Sequence, residues 1–183
     1  MKQATIANVI VEIVQGNIVQ QPDITAIVNA ANAYLAPGGG VAGAIHRAAG
    51  PGLYEECKPL APIRTGECVI TGGHQLPNRY VIHCLGPVYG QDKPEDRLLA
   101  ACYEHALDLC EENAIDSVAF PAISAGIFGY PLPEAARVAL QTVVAKAPSL
   151  KTVKRVRFVL FDGKTYRTFE NVLDEILTQS RSA

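Results

Sequence analysis

The feature that most constrains the fold is an alternation, along most of the chain, of short strand-like runs with segments of helical periodicity. Short runs rich in β-branched and aromatic side chains, bounded by turn residues, predict strands. Those runs are Val9–Val14, Ala26–Asn29, Cys68–Thr71, Tyr80–Cys84, Ser117–Phe120 and Val156–Phe161. Strands that alternate with helices predict an α/β domain with helices on both faces of a largely parallel sheet.

Between and after these runs, apolar residues recur at the spacing of helices. The helical segments begin near Val41, Pro94, Pro133 and Phe169. The last has the clearest pattern, with apolar side chains at i, i+3, i+4, i+7 and i+8. Turn residues at Gly72-Gly73 and Pro77-Asn78 indicate a hairpin, so we expect the sheet to be mixed rather than purely parallel.

The length of 183 residues corresponds to a single domain over residues 1–183, with residues 1–5 and 180–183 expected to be loose termini. A chain of this size needs no disulfide or metal to form a core. The five cysteines are odd in number and have no C-x-x-C spacing, so we expect free thiols, a cytoplasmic location and no metal site. No apolar run approaches the roughly 18 residues that a membrane helix needs.

The charge balance limits the partners that the surface can bind. Lys and Arg total 16 against 18 Asp and Glu, a formal net charge of -2. A protein that covers many nucleic-acid phosphates is usually strongly basic, so binding of poly(A) or RNA ends is disfavoured. The basic residues Lys151, Lys154, Arg155 and Arg157 alternate with valines and are expected to form the solvated face of a strand.

Loops that follow parallel strands are where ligands bind in open α/β sheets. Three of them carry glycine: the segment from Asn29 to Gly38-Gly39-Gly40, the segment Ser124–Gly129, and Phe161-Asp162-Gly163. Glycines before a helix let the backbone approach a ligand and present unpaired N–H groups to an anion. Two such loops facing each other would suit a diphosphate, although each could also be a tight turn.

Several familiar motifs do not apply to this chain. Gly38–Gly43 satisfies G-x-G-x-x-G, but eight residues separate it from the preceding strand, so we do not expect a dinucleotide fold. Ser124 lacks the glycine of a hydrolase elbow and is expected to donate a hydrogen bond. His83 and Cys84 alternate along a strand and should point to opposite faces, which favours a structural role for both. His46 is expected to pack or cap.

At these loops the sequence resembles the macro domain family, the ADP-ribose-binding module. The stretches that carry the resemblance are Ile27–Asn32, Gly38–Gly50 and Phe120–Gly129. It implies a three-layer α/β/α fold around a central mixed, mostly parallel sheet. Asn32 resembles the residue that holds the distal ribose and, with a bound water, serves catalysis. The remaining ligand contacts implied are Asn17, Ile18, Gly39, Gly40, Val41, Ser124, Ala125, Gly126, Ile127, Phe128 and Phe161, with the Phe161 ring on adenine.

Two positions depart from the family pattern. Asn17 stands where members commonly have an Asp that accepts a hydrogen bond from the adenine amino group, and Ala42 stands where MacroD-like hydrolases have Asp. The sequence leaves two functions open: a hydrolase of mono-ADP-ribosylated protein or O-acetyl-ADP-ribose, and a reader that binds ADP-ribose without chemistry. The expected partners are ADP-ribose, its derivatives and mono-ADP-ribosylated proteins. No cofactor, metal or membrane contact is expected.

Overall fold

A computed structural model describes residues 1–182, with the backbone alone for Arg181 and Ser182. In this part of the chain the strands are β1 (Lys2–Ile6), β2 (Val9–Gln15), β3 (Ala26–Ala30), β4 (Cys68–Gly72), β5 (Tyr80–Cys84), β6 (Ser117–Phe120) and β7 (Arg155–Leu160). They form one sheet in the order β1-β2-β7-β6-β3-β5-β4.

The five central strands run parallel, and each edge strand is antiparallel to its neighbour. The mixed, mostly parallel sheet expected from the sequence is therefore confirmed. The antiparallel pair β4 and β5 is the hairpin that the turn residues after Gly72 indicated. All five parallel strands end at the same edge of the sheet, which makes that edge the place for a ligand.

Helices cover both faces of the sheet, in the order α1 (Gly40–Ala49), α2 (Pro51–Cys57), α3 (Glu95–Glu112), α4 (Leu132–Lys146) and α5 (Gly163–Ser182). Side chains of α3, α4 and α5 share one apolar core, and those of α1 and α2 share the other. The three-layer α/β/α fold is therefore confirmed. The short α2, which follows Gly50 directly, has no counterpart among the predicted helices.

Strand β3 illustrates why two cores form. Ala26 and Val28 lie in the core beneath α3, α4 and α5, whereas Ile27 lies in the core beneath α1 and α2. Successive strand residues face opposite sides of a sheet, so an uninterrupted apolar strand is buried on both faces. Among the described helices, none is both long enough and apolar enough to cross a membrane.

The expectation of loose termini is wrong where the structure describes them. Residues 2–6 form β1, which pairs with β2 through a two-residue turn at Ala7 and Asn8, whose φ angles are 48° and 71°. This left-handed pair is the hairpin turn that suits the strand twist, and Ala7 gives no glycine signal for it. At the other end, α5 continues to Ser182, and Ala183 lies outside the described residues.

The basic strand also differs from expectation. Arg155 and Arg157 of β7 both pair with Glu12 of β2, and the Glu12 side chain is buried. Arg157 also forms two hydrogen bonds to the Asp23 carboxylate, at 2.9 and 2.7 Å. These two arginines are therefore part of a structural ion-pair network rather than a solvated surface, because the parallel register of β2 and β7 brings the carboxylate between them.

Candidate ligand-binding site

A cavity of about 590 Å³ opens at the carboxyl ends of the parallel strands. Its walls come from the segments after β2, β6 and β7 and from α1, which follows β3. The residues that line it are Gly16, Asn17, Ile18, Gly40, Val41, Ala44, Arg47, Pro121, Ala122, Ala125, Gly126, Val159, Leu160, Phe161, Asp162 and Thr165. Its size is that of a pocket for a small organic ligand.

One wall of the cavity is the glycine-rich start of α1. Gly40 has a φ of 57°, in the left-handed region that favours glycine. The carbonyl of Gly39 accepts the N–H of Gly43 at 3.2 Å, so the N–H groups before Gly43 have no acceptor within the helix. Gly43 must be small because a Cβ there would overlap the Gly38 carbonyl. The result is a set of backbone donors at the positive end of a helix dipole.

The facing wall is the loop after β6. It is held by hydrogen bonds from the Tyr130 N–H to the Ser124 carbonyl, 2.9 Å, and from the Gly129 N–H to the Gly126 carbonyl, 3.0 Å. Within residues 1–182, the N–H groups of Gly126, Ile127 and Phe128 have no protein acceptor. Unpaired backbone donors from two walls of one cavity form a site for an anion without any side-chain charge.

The Ser124 side chain does not face the cavity. Ser124 adopts a φ of 66°, and its buried hydroxyl lies beside Gly86, where a Cβ would collide with it. Among the described residues the hydroxyl has no hydrogen-bond partner. The expectation that this hydroxyl donates a hydrogen bond therefore finds no acceptor among the described residues, while the Ser124 backbone shapes the loop.

The far end of the cavity combines an exposed ring with polar groups. Phe161 lies directly after β7 and lines the cavity while remaining largely exposed. Asn17 follows β2, the strand that pairs with β7, and its Oδ1 accepts the backbone N–H of Val19 at 3.1 Å. Asp162 accepts the backbone N–H of Thr165 at 2.8 Å, and hydrogen bonding from Thr165 lowers the pKa of the Asp162 carboxyl. A flat aromatic ring with adjacent polar groups is suited to a nucleobase.

The histidines beside the site are structural. His83 is completely buried and hydrogen-bonds to Asn29 and Thr71, each at 3.0 Å. Burial lowers the pKa of His83 to about 3, so the ring is neutral at physiological pH. His46 is also buried, in edge-to-face contact with Tyr54, and burial lowers the pKa of its imidazole. Neither histidine lines the cavity.

His83 and Cys84 point to opposite faces of β5, as the sequence predicts. Cys84 lies in the core beneath α3, with its sulfur 2.6 Å from that of Cys68. Burial raises the pKa of the Cys84 thiol, so neither neighbour supplies a nucleophile to the cavity. Within the described residues, no group of three or more His, Cys, Asp or Glu side chains is placed to hold a metal ion.

Comparison with known proteins decides the family. A family model described as Macro domain matches residues 28–139. The chain is 43% identical over 176 residues to a macro domain-containing protein of Streptomyces griseus, which covers 93% of this chain and 98% of that protein. The chain belongs to the macro domain family. A macro domain-containing protein of Methanosarcina mazei is 45% identical over 168 residues, 91% of this chain and 89% of its own length.

Solved macro domain structures agree with this assignment. The chain is similar to the Oceanobacillus iheyensis macrodomain with ADP, with a TM-score of 0.93, 39% identity and 97% of each chain covered. It is also similar to the Trypanosoma brucei macrodomain in complex with ADP-ribose, with a TM-score of 0.81 and 38% identity. That comparison covers 91% of this chain and 69% of the other.

The macro domain cavity brings together part of the set of contacts that the sequence predicted. The predicted residues that line it are Asn17, Ile18, Gly40, Val41, Ala125, Gly126 and Phe161. The predicted residues that lie outside its lining are Asn32, Gly39, Ser124, Ile127 and Phe128. Gly39, Ser124 and Ile127 adjoin lining residues in the chain, whereas Asn32 and Phe128 do not. The departures therefore concern mainly Asn32, Phe128 and the direction of the Ser124 side chain.

Asn32 is held by the backbone of its own loop. Its Nδ2 donates to the Ala36 carbonyl at 2.9 Å, and its Oδ1 accepts the Ala36 N–H at 3.0 Å. This reciprocal pair fixes the amide at the turn that leads into the triple glycine. An amide nitrogen has two protons and an amide oxygen two lone pairs, so one donor and one acceptor of Asn32 remain for a ligand.

Sequence reasoning missed two charged residues of the cavity, Arg47 and Asp162. Arg47 was detectable, because it lies seven residues after Gly40 and residues at that spacing share one face of a helix. Ala44, four residues after Gly40, lines the same wall. Asp162 lies in a segment that the sequence did single out, but its role in beginning α5 depends on the position of Thr165.

Proposed function

We propose that this macro domain binds ADP-ribose in the cavity and hydrolyses mono-ADP-ribosylated protein or O-acetyl-ADP-ribose. The observation that carries the binding proposal is the pair of walls with unpaired backbone N–H groups, at Gly40-Val41 and at Gly126. A diphosphate between them would receive donors from both sides. Similar macrodomains have been solved with ADP and ADP-ribose, which supports the same ligand here.

The positions of the adenine and of the distal ribose follow from the chemistry of the residues beside the diphosphate walls. The adenine stacks on Phe161, beside Asn17 and Ile18, because a ring with a free face and adjacent polar groups lies at that end. The distal ribose lies toward Asn32, whose amide pairs with vicinal hydroxyls. The loop Gly126-Ile127-Phe128 positions this ribose, so that the bond to be broken lies beyond the diphosphate walls.

Water is the nucleophile in the proposed reaction. Asn32 orients the water beside the distal ribose. The water oxygen bonds to the ribose carbon that carries the protein, or to the acetyl carbonyl carbon of O-acetyl-ADP-ribose, while a phosphate oxygen of the substrate accepts its proton. The bond from that carbon to the departing oxygen or nitrogen breaks, and the departing group takes the proton from the phosphate. Fixing the water against the reacting carbon supplies the rate enhancement through orientation. Backbone N–H groups around the diphosphate stabilise charge that develops there. The fixed amide of Asn32, held by Ala36 on both atoms, supports this role because it cannot turn away without breaking two hydrogen bonds.

The second candidate is a reader that binds ADP-ribose without chemistry. The observation that favours it is the scarcity of general bases. Ala42 is buried and offers no carboxylate, and Asp162 is the one carboxylate among the cavity-lining residues. One oxygen of Asp162 is engaged by Thr165 at the start of α5. A site that lacks a general base can still bind ADP-ribose as tightly as a site that has one.

The deciding experiment separates binding from release. Wild type, Asn32→Ala and Asn171→Ala are incubated with proteins mono-ADP-ribosylated on acidic residues or arginine, and with O-acetyl-ADP-ribose. Asn171 is exposed on α5 and outside the cavity, so its variant is the matched amide control. Calorimetry with ADP-ribose is run on the same preparations.

A hydrolase releases ADP-ribose in the wild type and in Asn171→Ala. In Asn32→Ala it loses most of that activity, whereas ADP-ribose affinity falls only by the lost ribose hydrogen bonds, about tenfold. Binding by the wild type with no release from any substrate leaves the reader. Absence of ADP-ribose binding by a folded wild type contradicts both functions.

The location that we propose for the protein is the cytoplasm, where ADP-ribosylated proteins would be its partners. What supports it is that the five cysteines carry no disulfide, including Cys68 and Cys84, which are adjacent across β4 and β5. Thiols stay reduced in that compartment.

A further inference from the structure

The segment after β6 has buried backbone groups that the sheet does not pair. Strand β6 ends at Phe120, and both Pro121 and Ile123 are buried. In the part of the chain that the structure describes, the Pro121 carbonyl and the Ile123 N–H have no backbone partner. A buried backbone group without a hydrogen bond is costly, so this segment requires a side chain that can both donate and accept.

Tyr103 of α3 is that side chain. Its hydroxyl donates to the Pro121 carbonyl at 3.4 Å and accepts the Ile123 N–H at 3.3 Å. A hydroxyl has one proton and two lone pairs, so one phenol satisfies both groups. The Tyr103 ring is completely buried and packs on Phe120 and Phe158. Burial raises the pKa of Tyr103, so the hydroxyl keeps the proton that it donates.

Gly86, in the segment after β5, limits the same segment by close contact. A Cβ at Gly86 would overlap the Ser124 hydroxyl and lie 2.6 Å from the Ile123 side chain. Gly86 is not among the described glycines with positive φ, so the space beside it, and not its backbone conformation, requires glycine. Residues 121–124 are therefore fixed by a hydroxyl from α3 and by a close approach of the chain after β5.

The fixed segment leads directly into the diphosphate wall. Pro121 and Ala122 line the cavity, as do Ala125 and Gly126. The Ala125 N–H donates to the Ala122 carbonyl at 3.3 Å, which joins the segment to the loop that carries the unpaired donors. Hydrogen bonds weaken steeply as their distance and angle depart from the ideal. A displacement of residues 121–124 would therefore weaken the hydrogen bonds that the Gly126 loop gives to a diphosphate.

We propose that Tyr103 is a positioning residue for ligand binding. Together with Gly86 it fixes residues 121–124, so that the backbone N–H groups of the loop after β6 face the diphosphate. This inference rests on the proposed function, which places the diphosphate beside Gly126. Tyr103 is not among the residues that line the cavity, so it acts through the backbone that its hydroxyl holds.

The test measures affinity and stability on the same proteins. Calorimetry with ADP and with ADP-ribose, and unfolding in urea, are run on wild type, Tyr103→Phe and Ser117→Ala. Tyr103→Phe keeps the buried ring and removes only the hydroxyl. Ser117→Ala is the matched control, because the buried Ser117 hydroxyl accepts the backbone N–H of Thr25 at 2.9 Å. Ser117 lies at the other end of β6 and outside the cavity lining.

We expect Tyr103→Phe to raise the dissociation constants of ADP and ADP-ribose alike, by about tenfold, which corresponds to one hydrogen bond to a charged group. Both variants should unfold at lower urea concentration than the wild type, because each leaves a backbone group unpaired. Ser117→Ala should keep both dissociation constants within about twofold of the wild type.

The outcomes separate positioning from a purely structural role. If Tyr103→Phe lowers stability but keeps both dissociation constants within about twofold of the wild type, the proposal is refuted while ADP-ribose binding stands. It is also refuted if affinity falls for ADP-ribose alone, because the loss would then lie at the distal ribose. If a folded wild type binds neither ligand, ADP-ribose binding fails and the positioning role fails with it.

Gly86→Ala tests the same segment while Tyr103 stays in place. The added methyl group would press on Ser124 and Ile123, so we expect it to weaken ADP and ADP-ribose binding as Tyr103→Phe does. This second variant decides the question if Tyr103→Phe does not fold. Unchanged affinity in a folded Gly86→Ala protein would show that the position of residues 121–124 does not set diphosphate binding, and would overturn the proposal.

Discussion

Replacing Phe161 with alanine should weaken ADP-ribose binding without loss of stability. Phe161 is 81% exposed, so of roughly 200 Å² that such a ring can bury, about 160 Å² remains accessible. A base stacked on one face covers about half of this, and 80 Å² at about 25 cal/mol per Å² contributes about 2 kcal/mol. We therefore expect the dissociation constant to rise about 30-fold.

The assay is calorimetry with ADP-ribose, combined with thermal unfolding of the same samples. Tyr34→Ala is the matched control, because Tyr34 is another exposed aromatic residue and lies outside the cavity lining. It should change neither affinity nor melting temperature. The stacking argument is refuted if Phe161→Ala changes the dissociation constant less than about threefold, or if it lowers the melting temperature while the control does not.

Three further changes test other parts of the structure. Gly126→Ala should leave stability unchanged, because no heavy atom lies within 4 Å of a Cβ there. It should weaken ADP-ribose binding in calorimetry, because Gly126 lines the cavity and the added methyl group would meet the ligand; unchanged binding would contradict a close ligand approach. Glu12→Ala removes the buried partner of Arg157 and should cost about 3 kcal/mol in urea unfolding, and a loss below about 1 kcal/mol would show that the network is dispensable. Asn17→Asp should tighten ADP-ribose binding several-fold, because one carboxylate oxygen can keep the Val19 N–H and the second adds a charged acceptor for the adenine amino group. Unchanged or weaker binding would refute the contact between position 17 and that amino group.

The secondary structure followed from sequence where the local signal was strong. The i, i+3, i+4 pattern from Phe169 to Leu177 predicted α5, and Phe169, Val172 and Leu173 are buried as that pattern requires. The sequence carries no signal for a strand that forms only by pairing with its neighbour in the sheet. Strand β1 exists because its backbone bonds to β2, and nothing in residues 2–6 demands a strand without that partner.

The candidate site was predictable to the extent that it depends on the backbone. The glycines near Gly40 and Gly126 both reach the cavity wall, because a loop after a parallel strand must lie at the carboxyl edge of the sheet. Side-chain direction was not predictable in the same way. The Ser124 hydroxyl lies against Gly86 rather than toward the cavity, a consequence of a left-handed φ that the sequence does not reveal.

The sequence by itself determined the order of six of the seven strands and four of the five helices, the positions of the glycine loops and the family, because these depend on local periodicity and on motifs of neighbouring residues. Only the tertiary structure decided which polar atoms remain free. Arg157 pairs with both Glu12 and Asp23, whereas Asn17 gives its oxygen to Val19 and its NH₂ group has no acceptor among the described residues. A side chain has a fixed inventory of donors and acceptors, and what it offers a ligand is what its folded neighbours leave unused.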